Sequence, residues 1–211
     1  VNEMERVILH SDLNNFYASV ECLYNPEIRN KPVAVCGDVE ARHGIVLAKN
    51  YIAKGYGVAT GQAIWQAKQK CPDLVVVPPH YDKYLNYSKI AREIYSYYTD
   101  QIEPFGIDEA WLDVTGSTHL YGSGKIIADE IRSKIKFELG ITASVGVSYN
   151  KIFAKLGSDL KKPDATTEIT KNNYQDVVWN LPVKELLYVG YATNKKLNEY
   201  CIKTIGDIYV S

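Results

Sequence analysis

Two adjacent carboxylates, Asp108 and Glu109, stand in the stretch Phe105-Gly106-Ile107-Asp108-Glu109-Ala110-Trp111-Leu112-Asp113-Val114-Thr115. The apolar residues around them, Ile102 and Phe105 before and Trp111, Leu112 and Val114 after, read as β-structure. Neighbours on a regular strand point to opposite faces, so the pair can share one site only at a bend or hairpin turn. Pro104 and Gly106 permit such a turn. Gathered carboxylates repel one another, and one keeps its proton unless a cation joins them. A divalent metal ion meets that need; the competing reading is a pair of turn carboxylates in water.

A second segment, Val7-Ile8-Leu9-His10-Ser11-Asp12-Leu13-Asn14-Asn15-Phe16-Tyr17-Ala18-Ser19-Val20-Glu21, runs apolar into Asp12. Phe16, Val20 and Leu23 then recur at helical spacing. Asp12 therefore stands where a buried strand gives way to a helix, a place where α/β folds put chemistry. It could equally cap that helix, and the two roles are compatible. Tyr51 and Lys54 lie one helical turn apart and can face one ligand. Lys151 and Lys155 share a face in the same way.

Together these segments resemble the Y-family, or translesion, DNA polymerases, most closely the polymerase IV branch. The matching residues are Ser11-Asp12-Leu13 with Phe16-Tyr17, Ile107-Asp108-Glu109-Ala110 with Leu112-Asp113, and Ser144-Val145-Gly146-Val147-Ser148 followed by Asn150-Lys151 and Phe153-Ala154-Lys155-Leu156. Ser158-Asp159-Leu160-Lys161-Lys162-Pro163 is a further match, and the likeness runs in order through nearly all 211 residues. The resemblance implies two-metal nucleotidyl transfer: two Mg²⁺ ions, with Asp12 and Asp108 bridging both, Glu109 on the catalytic ion and the Leu13 carbonyl on the nucleotide-bound one. It implies triphosphate contacts from Tyr51, Lys54 and Lys155, and a steric gate at Tyr17 that excludes a ribose 2′-hydroxyl. Its implied partners are primer-template DNA, deoxynucleoside triphosphates and, for the full-length protein, a sliding clamp. Position 54 is more often arginine in the family, and lysine loses the bidentate fork. Asn14 replaces a common second aspartate, and Gly106 and Trp111 replace a serine and a smaller aromatic; none of these changes removes a metal ligand.

The elements that must position these residues follow from the apolar periodicity and from Pro and Gly punctuation. Strands are expected at 6–12, 102–107, 110–115 and 141–147, with helices at 83–99 and 123–139, the latter started by Ser123 and stopped by Gly140. Ser148 is expected to cap the helix after the last of these strands. This is an α+β palm, a sheet with helices on one face. A small α/β insertion is read between Phe16 and Pro79: helix 16–23, strand 33–36 closed by Gly37-Asp38, strand 45–47, a helix from Ala48, helix 62–70 and strand 75–77. By resemblance, residues 1–15 and 80–170 are palm, 16–79 fingers and 171–211 thumb, with the little-finger domain absent. Short helices at Val183–Tyr188, Thr193–Tyr200 and 204–208 flank a Val189-Gly190 turn. They resemble a helix-hairpin-helix, which grips nucleic-acid backbone through amide groups at such a turn. Gly190 and Lys151 are the expected DNA contacts; an ordinary α-hairpin is the alternative.

Six of the 17 tyrosines fall between 81 and 98, where helical packing explains them better than base stacking. The net charge of −1 gives no basic footprint, although residues 121–211 are more basic than residues 1–120. No run of about 18 apolar residues indicates a membrane span, and no secretory signal is seen. The four cysteines lack C-x-x-C spacing and read as reduced, mostly buried thiols of a cytoplasmic protein. His10, His43, His80 and His119 are scattered and suggest no role. A nucleotidyl cyclase palm would need a G-G-D/E-E/D-F sequence that is missing. A non-catalytic DNA-binding or scaffolding module is the rival of another class.

Overall fold

The computed structural model describes residues 5–37 and 44–210. Asp38 of the expected closing turn, His43 and Ser211 lie outside them. In chain order the elements are β1 (Ile8–Leu13), α1 (Phe16–Tyr24), β2 (Val33–Cys36), β3 (Val46–Lys49), α2 (Tyr51–Gly55), α3 (Ile64–Lys70), β4 (Val75–Val77) and α4 (Tyr81–Ser96). They continue as β5 (Ile102–Phe105), β6 (Glu109–Asp113), α5 (Thr118–Tyr121), α6 (Gly124–Lys134), β7 (Ala143–Ser148) and α7 (Lys151–Leu160). The chain closes with β8 (Thr166–Glu168), α8 (Tyr174–Val178), α9 (Tyr191–Glu199) and α10 (Ile205–Val210). Chain contacts divide this order into two compact units, one of residues 5–12, Ile94–Lys134 and 142–210, the other of Leu13–Glu93 and Ile135–Ile141.

The first unit is built on a five-stranded sheet in the order β5-β6-β1-β7-β8. β1 pairs antiparallel with β6, setting His10 opposite Trp111 and Asp12 opposite Glu109. Because side chains alternate along a strand, Ile8, His10 and Asp12 share one face and Leu9 and Ser11 the other. Within this unit, α6 and the segment from Ile94 lie on the Leu9 face. Gly124 opens α6 directly against Val7, Leu9 and Val147, and Tyr95 near the end of α4 donates to Ser11 Oγ at 2.9 Å. The expected helices 83–99 and 123–139 form as α4 and α6, with α6 giving way to a π-helical turn at Ile135–Leu139.

The other face also carries a helix, α7, which the one-face description omits. Gly146 makes this possible: a Cβ there would collide with the Ala154 carbonyl and the Ser158 amide. Across the contact, a Cβ on Gly157 would stand 3.2 Å from the Gly146 Cα, so two glycines let helix and strand backbones meet. Asn150 caps α7, accepting from the Phe153 amide at 2.8 Å, while Ser148 donates to the Ile169 carbonyl at 2.7 Å instead of capping. The far side of α7 buries Leu156 with Ile169 and Val178, and β8 extends the sheet beyond the expected strands.

In the second unit a three-stranded sheet, β3-β2-β4, has its own core of Ala34, Cys36, Val46, Ala53, Val58, Ala67, Cys71 and Leu74. The expected helix from Ala48 is instead the end of β3: Ala48 pairs with Val35 and Lys49 with Ala34. Helix α2 begins only at Tyr51, after Asn50 accepts from the Ala53 amide at 3.0 Å. Near the end of the chain, Val183–Glu185 is a single 3₁₀ turn. Cys22, Cys36 and Cys71 are buried and Cys201 exposed, all as free thiols. Among the described residues no helix is long and apolar enough to cross a membrane.

Candidate active site

Three carboxylates are delivered to the α7 side of the large sheet by two different devices. Asp12 and Glu109 are direct cross-strand partners, so their side chains leave the same face. Asp108 precedes Glu109 in the turn that joins β5 to β6, where Phe105 pairs with Glu109. Gly106 in that turn has φ +77°, a left-handed conformation that a side chain resists. The turn releases Asp108 from strand alternation, and neighbours in sequence become neighbours in one site.

Two lysines face these carboxylates. Lys155 on α7 reaches Glu109 Oε1 at 2.6 Å, and Lys162, just past the helix, reaches Asp12 Oδ2 at 2.5 Å. Asp159 lies between the lysines, 3.3 Å from Lys155 and 3.1 Å from Lys162. Charges therefore alternate from Glu109 through Lys155, Asp159 and Lys162 to Asp12, and Asp108 is left outside the chain of ion pairs.

The electrostatics follow from that exclusion. Burial, with Asp12 and Glu109 adding negative charge nearby, pushes the Asp108 carboxyl up to about 6. Burial also raises Glu109, but the nearby His10 ring and the Lys155 ammonium outweigh it and bring the carboxyl down to about 2. Asp12 is raised by burial and opposed by Lys162. Asp12 and Asp159 together hold Lys162 firmly as an ammonium despite its own burial. With an ammonium at hydrogen-bond distance, the Asp12–Lys162 pair is ionised.

This donor set suits a hard divalent cation: all ligands are carboxylate oxygens, and Asp108 forms no ion pair among the described residues, its charge only partly offset by Lys155. Among the described residues no three such side chains already converge into a coordination cage. Two of the three are held by ammonium groups, so a cation would take over oxygens that Lys155 and Lys162 now occupy.

The remaining expected residues fall elsewhere. Leu13 ends β1 and is buried. Lys151 is held at 2.8 Å by Glu103 and lies over the Trp111 ring, with Nζ 4.4 Å from its centroid. Gly190 precedes α9 in extended conformation, with open space where a Cβ would stand. In the second unit, Tyr51 and Lys54 do share one side of α2, the Lys54 Nζ 5.8 Å from the Tyr51 ring centre. Tyr17 stacks on Tyr84 with centroids 4.2 Å apart and planes 9° from parallel. Tyr84 donates to the buried Glu21 at 2.5 Å, and His80 pairs with the same carboxylate.

Residues without an expected role also belong to the site. Lys162 matched only as part of a motif, although its i, i+3 spacing from Asp159 is visible in the sequence. His10, read as having no role, is fully buried on the carboxylate face, two residues before Asp12. Strand alternation was the signal for it.

The profile of the impB/mucB/samB family matches residues 11–159. DNA polymerase IV of Acetivibrio thermocellus is 65% identical over 205 residues, covering 97% of this chain and 51% of that protein. DNA polymerase IV 1 of Bacillus subtilis is 45% identical over 204 residues, covering 96% and 49%. This chain spans about half the length of the curated relatives it matches. Among solved structures, DinB from Sulfolobus solfataricus superposes with a TM-score of 0.88 at 32% identity, over 97% of this chain and 60% of that one. An insertion ternary complex of Dbh DNA polymerase gives 0.89 at 32% identity, with the same coverage.

Proposed function

The chain belongs to the impB/mucB/samB family of Y-family polymerases, and from that premise we propose that it holds the core of a template-directed DNA polymerase acting in translesion synthesis. The observation that carries this reading is the set of Asp12, Asp108 and Glu109 on one sheet face, opposed by Lys155 and Lys162. Its proposed partners are primer-template DNA, deoxynucleoside triphosphates and, for the longer protein, a sliding clamp.

Two Mg²⁺ ions held by Asp12, Asp108, Glu109 and the Leu13 carbonyl would acidify the primer 3′-hydroxyl and neutralise charge on the departing pyrophosphate. The chain's own groups do the rest. Asp108 has the most to gain when a cation enters, because burial and like charge have made its ionised form costly and a cation offsets that cost. Lys155 and Lys162 carry the positive charge that a triphosphate requires, with Asp159 keeping both at the site once Glu109 and Asp12 turn to metal. Tyr51 and Lys54 add a hydroxyl and a second point of positive charge, and Tyr17 serves as the gate beneath the sugar. Open space at Gly190 lets a phosphate backbone approach the amides at the start of α9.

We assign residues 1–15 and 80–170 to the palm, 16–79 to the fingers and 171–211 to the thumb. The separate core of the β3-β2-β4 sheet supports a distinct fingers module; by contact, residues 80–93 and Ile135–Ile141 group with it.

Primer extension at low salt, with Mg²⁺ and single deoxynucleotides on an undamaged template, tests the proposal beside Asp108→Ala. Template-dependent addition abolished in the variant supports it. Absence of both addition and Mg²⁺-dependent nucleotide binding in the wild-type chain refutes it.

A further inference from the structure

Buried imidazoles are held by whatever their two nitrogens touch, and His10 touches two different elements of the site. Its Nδ1 is 2.7 Å from Ser158 Oγ on α7. That hydroxyl donates its single proton to the Lys155 carbonyl at 2.7 Å, so toward the ring it can only accept, and Nδ1 is the donor. On the opposite side Nε2 lies 3.3 Å from Glu109 Oε1, the same oxygen that Lys155 Nζ reaches at 2.6 Å. Nε2 is within charge-pairing distance there without the alignment of a hydrogen bond, and it is otherwise unpartnered. The ring also meets Trp111 edge-on, with centroids 5.1 Å apart.

We infer that His10 is a positioning residue for Glu109, a buried spacer that fixes where the Glu109 carboxylate lies between Lys155 and an incoming metal ion. The inference rests on the polymerase reading of the three carboxylates. One ring joins three elements: β1, which carries it; β6, through Glu109; and α7, through Ser158 and the backbone of Lys155. With Ser158 and Trp111 anchoring the imidazole, Glu109 Oε1 meets a wall at Nε2 and cannot swing away from the site. The distance between the Lys155 ammonium and Glu109 is set by the same ring, since Ser158 is tied to the Lys155 carbonyl. Partners that orient a ligand from behind in this way are worth about 10- to 100-fold in metal affinity or activity.

The two faces of the ring can be separated by substitution. In His10→Asn the amide reaches Ser158 as Nδ1 does but leaves Glu109 without its wall; in His10→Gln the amide reaches toward Glu109 and abandons Ser158. Binding of Mn²⁺ to the whole chain, followed by electron paramagnetic resonance, is the first readout, and steady-state single-nucleotide addition the second. His10→Asn is expected to bind Mn²⁺ about tenfold more weakly and to lose kcat with the nucleotide KM unchanged. His10→Gln is expected to stay within about threefold of wild type in both, although it unfolds at lower temperature. Losses in the two variants that simply follow their loss of stability overturn the inference, as does wild-type Mn²⁺ affinity in His10→Asn. Should that variant fail to fold, Ser158→Ala decides: its hydroxyl touches no carboxylate, so weaker Mn²⁺ binding supports the spacer and unchanged binding refutes it. A wild-type chain that takes up no Mn²⁺ removes the carboxylate reading itself, and the inference falls with it.

Discussion

Asp108→Asn is predicted to make the metal-free protein more stable while abolishing its chemistry. In the folded chain the Asp108 carboxyl sits at about 6, against an ordinary value of 3.8, because burial and the charges of Asp12 and Glu109 oppose ionisation. Each unit corresponds to about 1.4 kcal/mol, so ionised Asp108 costs the fold up to about 3 kcal/mol at neutral pH. Partial exposure to solvent reduces this, and about 2 kcal/mol is the working figure. A folded-state value raised above the unfolded one gives stability that is complete below about 3.8 and is lost as pH rises through about 6. The isosteric amide escapes that loss. Thermal and denaturant unfolding in a chelator at pH 7 is expected to show a gain of about 2 kcal/mol, or roughly 4–8 °C for a chain of this size. At pH 4 most of the gain should be gone, because Asp108 is then protonated in the folded state and close to half protonated in the unfolded one. Adding Mg²⁺ should narrow the gap at pH 7 by stabilising the wild type alone. A variant less stable than wild type at pH 7, or a gain that does not change with pH, would refute the electrostatic account of this site.

Three other outcomes follow from named contacts. Lys155→Met leaves Glu109 without its 2.6 Å partner; unfolding titrations at pH 7 should show a loss of about 1–2 kcal/mol after allowance for solvent screening. The Glu109 carboxyl is held down at about 2, which favours the folded state above about 4.5 and is lost as pH falls toward 2; that acid-dependent loss should be flatter in the same variant. Gly146→Ala places a methyl group against the Ala154 carbonyl where α7 meets β7, and it should cost more than about 3 kcal/mol, read as a collapse of the melting temperature or of soluble yield. Tyr84→Phe removes the 2.5 Å donor from buried Glu21 while the His80 contact stays; about 2 kcal/mol should be lost in denaturant unfolding.

Local chemistry was legible in the sequence wherever a short stretch dictated it. The apolar run into Asp12 made that residue the end of a buried strand, and Gly106 beside Asp108-Glu109 made a turn the means by which adjacent carboxylates share a site. Motif order carried the family. Where two short-range signals compete, the sequence misleads: Ser148 has the chemistry of a cap for α7, yet Asn150 accepts from Phe153, and Ala48 suits a helix, yet pairing with Val35 keeps it in β3. What only the tertiary structure decided is which distant groups stand against the carboxylates. Lys162 is 150 residues from Asp12 and Lys155 46 from Glu109. Both arrive because Gly146 and Gly157 let α7 settle onto the sheet face that Asp12 and Glu109 share. His10 shows the same division. Alternation put it on the face of Asp12, but a part for it appeared only when β6 supplied Glu109 on one side of the ring and α7 supplied Ser158 on the other. Sequence sets the face from which a side chain leaves its strand; packing of separate elements, through contacts that no local pattern encodes, sets what it meets there.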